Sequence, residues 1–149
     1  MSELMIDTAH RKAWVLASII AGVLYFIVGY GSAVLDPSIP DRARFWWRVT
    51  AWLISAVVFA VHIGYERFRL RNAPRLAALH TAAAVALGAF LIAAAALVHA
   101  TTVIEHAPYL RFVVALAIWP IITAVPAFLV ALVASALFSS PASPAKGRI

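Results

Sequence analysis

The chain contains no cysteine. That absence excludes disulfides, thiolate nucleophiles, iron–sulfur centres and cysteine-ligated zinc. Charge is also scarce: charged residues form 12% of the sequence, against roughly 25% in an ordinary soluble domain. No P-loop, G-x-S-x-G, H-E-x-x-H or glycine-rich dinucleotide turn is present. No hydroxyl nucleophile has a base set beside it, so the residues do not predict an enzyme.

What fills the chain instead is apolar. Hydrophobic residues make up 64% of its 149 positions, and the mean hydropathy is +0.94. Apolar runs cover residues 14–35, 49–68, 76–98 and 112–138, each long enough to cross a hydrocarbon core about 30 Å thick at about 1.5 Å per residue. Unbroken runs argue against a β-barrel, whose strands alternate apolar and polar residues. The run that follows Arg11 and Lys12 is too long for a secretory h-region and lacks an A-x-A-like close, so it is read as the first span.

The connections are short and rich in turn residues. "DPSIPDRAR" carries two prolines and two aspartates, "RNAPR" offers Asn72 as an N-cap with Pro74 in the first turn, and "HATTVIEHAP" ends in a helix-starting proline. The expected fold class is therefore an all-α integral membrane protein, a four-transmembrane-helix antiparallel bundle over residues 13–138. Residues 1–12 form a cytoplasmic N-terminal segment, and residues 139–149, rich in Ser, Pro and Ala, a flexible cytoplasmic tail.

Orientation follows the cations. Eight lie on one side (Arg11, Lys12, Arg67, Arg69, Arg71, Arg75, Lys146, Arg148) and four on the other (Arg42, Arg44, Arg48, Arg111), which predicts a multi-pass protein of the cell membrane with both termini cytoplasmic. The excess of +6 is assigned to lipid headgroups and not to nucleic acid. Trp46, Trp47 and Tyr109 suit the opposite headgroup layer. Arg42 and Arg44 read as interfacial cations, and Asp36 and Asp41 as turn residues with local hydrogen bonds.

Lipid tails are as apolar as leucine, so helix association depends on close packing. Small residues four apart mark the expected contacts: Ser18 and Gly22 in the first helix, Ala56, Ala60 and Gly64 in the second, Ala84 and Gly88 in the third. In the fourth, Pro120 and Pro126 each free a carbonyl one turn earlier and predict a kink, with Thr123 placed to repair the bonding.

Ionisable groups crowd into "AVHIGYERFRLRNAPRLAALH", residues 60–80. At about 100° per residue, Ala51, Ser55, His62 and Glu66 share one stripe of the second helix. His80, Ala84, Leu87, Gly88 and Leu91 form a stripe on the third. His62 and His80 each stand nine residues from Arg71, so a hairpin centred there puts both imidazoles at one depth. Three readings follow. In the first, Glu66 pairs with His62 and meets a flanking arginine, while His80 finds a local hydrogen bond. In the second, His62, Glu66 and His80 ligate a divalent metal, or the two histidines ligate a haem. In the third, Glu66 and His62 exchange a proton at the mouth of a pathway. A second cluster, His99, Glu105 and His106, reads as a solvated loop.

The expected function is a structural, accessory or assembly subunit of the membrane, partnered by the lipid bilayer and by copies of itself or other membrane proteins, with no cofactor required. The alternatives are a haem- or metal-binding protein built on His62, His80 and Glu66, and a small ion or proton transporter acting as an oligomer.

Overall fold

The computed structural model describes residues 2–103 and 109–138, with backbone alone for residues 2–10. Four α-helices account for most of these residues: α1 (Ser2–Leu35), α2 (Asp41–Gly64), α3 (Pro74–Val103) and α4 (Tyr109–Leu137). No strand occurs among the described residues. A 3-10 turn at Asp36–Ser38 joins α1 to α2, and a π-turn at Tyr65–Arg69 prolongs α2. Every helix is long and apolar enough to cross a membrane. Two, α1 and α2, begin well before their apolar runs; α1 starts at Ser2 because neither proline nor glycine interrupts the chain ahead of Trp14.

Pro37 and Pro40 end one helix and start the next. Asp41 occupies the first turn of α2, where a negative charge meets the positive end of the helix dipole. Asp36 does more than close its own turn. Arg48 binds both of its carboxylate oxygens, at 2.8 and 3.1 Å, and Arg44 spans Asp36 and Asp41 at 3.8 and 2.9 Å. Trp47 Nε1 donates to the Ser32 carbonyl at 3.3 Å. These bonds tie the first turns of α2 to the end of α1.

The helix α3 is central: it packs extensively along α4 and α1 and meets α2 only narrowly. Its contact face is made of alanine and glycine, so the backbones come close. A Cβ added at Gly88 would stand 2.6 Å from Tyr25 Cβ and 2.9 Å from the Gly22 carbonyl oxygen, and one at Gly22 would stand 3.0 Å from the Ala84 carbonyl oxygen. The small residues of α1 and α3 mark a close contact, as expected of such stripes, and the structure shows that they meet one another. Bulk is displaced outward: Ala77, Ala78, Ala84 and Ala131 are fully buried, whereas Trp52, Leu110 and Leu137 are 73–80% exposed.

The small residues of α2 behave differently from expectation. Ala56 and Ala60 are exposed, and a Cβ at Gly64 would meet only Phe68 of its own turn. The reason is that α2 is fastened at its ends. Ile63 joins Ala78 and Ala131 in a small core near one end, and the Asp36 bonds hold the other. Between them a cavity of about 590 Å³ separates Ser55 and Phe59 from Gly29, Gly88 and Ala127.

The Thr123 hydroxyl donates to the carbonyls of Trp119 and Pro120, both at 3.0 Å. Neither is the carbonyl freed by Pro120 or Pro126, which belong to Leu116 and Ile122. The expected repair is thus absent, because the hydroxyl reaches back only three or four residues from its own position.

Candidate functional site

Where α2 ends, the backbone widens by one residue. The Leu70 N–H donates to the Tyr65 carbonyl, five residues back, at 3.1 Å, and the Asn72 N–H donates to the Glu66 carbonyl at 3.1 Å. Between them Arg71 adopts the left-handed conformation, φ 54°, which lets a helix close on its own last carbonyls. Widened turns of this kind recur at functional sites.

This closure turns Asn72 inward and overrules its expected role as the cap of α3. Pro74 opens α3 without an N–H to be capped, and the Asn72 amide donates instead to Glu66 Oε2. Arg67 Nη1 in turn donates to the Asn72 carbonyl.

Glu66 is the centre of the cluster and is fully buried. Its Oε2 also lies 3.0 Å from His80 Nδ1, and its Oε1 faces His62 Nε2 at 3.8 Å. The two histidines are 5% and 7% exposed. On α1, the Trp14 indole covers His80, with ring centroids 4.1 Å apart and planes 4° from parallel. Three helices therefore supply the site: α1 the aromatic cover, α2 and its π-turn His62 and Glu66, α3 His80.

A buried carboxylate is costly unless it is paired and hydrogen-bonded. Oε2 meets that demand with two nitrogen partners. Oε1 and His62 Nε2 do not: both are buried and neither makes a hydrogen bond. Their 3.8 Å separation exceeds the usual hydrogen-bond range, because Asn72 and His80 draw the carboxylate to the other side. The site thus holds a satisfied half and an open half.

The structure brings His62, Glu66 and His80 together, as the depth argument from Arg71 requires. Their nitrogens are turned to the carboxylate and not to a common point, and among the described residues no group of three or more His, Cys, Asp or Glu side chains is set to hold a metal ion. Glu66 occupies the space between the imidazoles, so a porphyrin would have to displace it. Asn72 and Trp14 join the site without having been expected there. Asn72 lay in the same quoted stretch, six residues beyond Glu66, whereas nothing in the sequence sets the register of α1 against α3.

His99 is exposed on α3. The remainder of its cluster, Glu105 and His106, lies outside the described residues, as do Pro108 and the segment 139–149. Comparison with protein-family profiles, curated proteins and solved structures finds no match to the chain.

Proposed function

We infer that the chain is an integral membrane protein whose four helices cross the bilayer antiparallel to their neighbours, with both ends in the cytoplasm. It serves as an accessory or assembly subunit and not as an enzyme. The membrane reading is supported by the inverted distribution of size, with alanine and glycine inside and leucine, valine and tryptophan outside. The orientation is supported by the eight-to-four division of cations.

The observation that carries the assembly reading is the free face of α2. Ala56, Ala60 and Gly64 line up four residues apart; Ala56 and Ala60 are exposed, Ala56 at the edge of the larger cavity, and among the described residues a Cβ at Gly64 would meet only Phe68. A helix of a second copy or of another membrane protein can approach there at backbone distance. Because the chain has no cysteine, Ala60→Cys introduces a single reporter. Oxidative cross-linking in native membranes is expected to trap this variant in a dimer or a mixed complex, while Ile54→Cys, exposed on another face of α2, is trapped far less. A protein that runs as a strict monomer, co-purifies with nothing and gives no cross-link at Ala60→Cys does not assemble in this way.

A second reading is favoured by the open half of the site. Glu66 Oε1 and His62 Nε2 face one another unbonded, an arrangement in which a proton can pass between carboxylate and imidazole. It predicts proton flux in reconstituted vesicles that Glu66→Gln abolishes. Flux unchanged in that variant removes the reading.

A further inference from the structure

A second cavity, of about 510 Å³, lies between α1 and α2 beside the Glu66 cluster. Its walls are Leu16, Ile20 and Leu24 of α1 and Val57, Val58 and Val61 of α2, and its only side chains with polar atoms are His62 and Tyr65. Both stand at one end. Trp14, at the start of the cavity on α1, covers the His80 ring that is bonded to Glu66, so the polar end is the end of the buried cluster. The other end is apolar throughout.

The dimensions match a single hydrocarbon chain. From Ala13 to Leu24 along α1 the cavity runs about 16 Å at about 1.5 Å per residue, close to the about 15 Å of one leaflet of a hydrocarbon core about 30 Å thick. Its volume falls in the range of small-molecule sites.

The end of the cavity carries the charge complement of an anionic head. Lys12 precedes Leu16 by four residues, and Arg69 follows Tyr65 by four, so each continues a wall-forming stripe by one turn. Both are exposed. No acidic residue occurs in residues 8–35 of α1 or in residues 42–64 of α2; the carboxylate just beyond α2, Glu66, is fully buried and held by Asn72 and His80. One turn deeper, the buried His62 ring forms part of the wall, with its Nε2 turned to Glu66 Oε1 at 3.8 Å. Two cations at the rim above an apolar channel of leaflet depth describe a receptor for one amphiphile.

We propose that the channel between α1 and α2 binds a single-chain anionic lipid, a long-chain fatty carboxylate, with its chain along Leu16–Leu24 and its head between Lys12 and Arg69. The proposal rests on the membrane reading above.

The test uses the full chain reconstituted in nanodiscs of zwitterionic phosphatidylcholine and titrated with nitroxide-labelled stearate, the immobilised fraction being read by electron paramagnetic resonance. Saturable immobilisation is expected, lost when Ala17→Trp or, from the opposite wall, Val58→Phe fills the channel. Lys12→Gln together with Arg69→Gln is expected to weaken stearate by roughly tenfold and to leave stearyl alcohol, with the same chain and no charge, unchanged. Stearate that stays mobile, or whose immobilisation neither channel-filling variant alters, overturns the proposal. So does displacement of stearate by dioleoyl phosphatidylglycerol at equal concentration, which would make the channel a seat for two-chain phospholipid. Retention of the protein in membranes after alkaline carbonate washing is scored separately. A protein that washes out fails the membrane reading, and one that stays but does not bind stearate fails this proposal alone.

Discussion

The imidazole of His80 lies flat against the indole of Trp14, 4.1 Å between centroids and 4° from parallel, while its Nδ1 is held 3.0 Å from Glu66. One ring is thereby fixed in two directions, by α1 through its face and by the π-turn after α2 through its edge. If this stack couples α1 to α3, the effects of Trp14→Leu and His80→Ala on stability must be non-additive. A double-mutant cycle by denaturant unfolding in detergent is expected to give a coupling of about 0.5–1.5 kcal/mol. Strict additivity would show that the stack contributes nothing.

Glu66 accepts from Asn72 and pairs with His80 while fully buried. Glu66→Ala leaves both partners buried without it, and the expected loss is about 3–5 kcal/mol, the usual cost of removing one member of a buried pair. Asn72→Ala removes one donor and is expected to cost about 1–3 kcal/mol. The two should be compared by their unfolding midpoints in the same detergent. A Glu66→Ala variant within about 1 kcal/mol of the parent would mean that the cluster is hydrated and not buried.

Two glycines separate real contact from mere pattern. Gly88→Ala drives a methyl against Tyr25 Cβ and the Gly22 carbonyl, so α1 and α3 must part, at a cost of about 1–3 kcal/mol. Gly64→Ala makes only an ordinary contact with Phe68 of its own turn, at 3.9 Å, and is expected to be neutral or to stabilise by up to about 1 kcal/mol through helix propensity. Thermal unfolding of the two variants side by side checks the contrast. Equal destabilisation would mean that α2 packs against more of the chain than Ile63 and the cluster.

The absence of cysteine also makes topology directly measurable. Arg71→Cys, in the turn after α2, is expected to react with a membrane-impermeant maleimide only when the cytoplasmic face is open. Ser38→Cys, in the turn after α1, should react only from the opposite face. Labelling of both from one side would place α2 along the membrane and not through it.

Most of the fold was legible because apolar length is a one-dimensional property. The runs starting near Trp14, Val49, Leu76 and Phe112 become α1 to α4, and the prolines at positions 37, 40 and 74 punctuate them through their missing N–H and fixed φ. That Gly22, Ala84 and Gly88 mark close contacts was also readable, since close backbone approach requires small side chains; that they meet one another was not. The equivalent stripe on α2 was not interpretable in the same way. A small-residue face says that a helix could approach, and only the tertiary arrangement decides whether one does.

The site divides along the same line. Sequence spacing by itself determined that His62 and Glu66 share a face and that His80 returns to their depth, because helical periodicity and the hairpin at Arg71 are local geometry. The tertiary structure decided the rest: that Asn72 abandons the cap of α3 for the Glu66 carboxylate, that Trp14 of α1 covers His80, and that His62 is left facing Oε1 unbonded. Those outcomes depend on the extra residue in the π-turn and on the register of α1 against α3. Both are set by packing between segments distant in the chain, which no local pattern encodes.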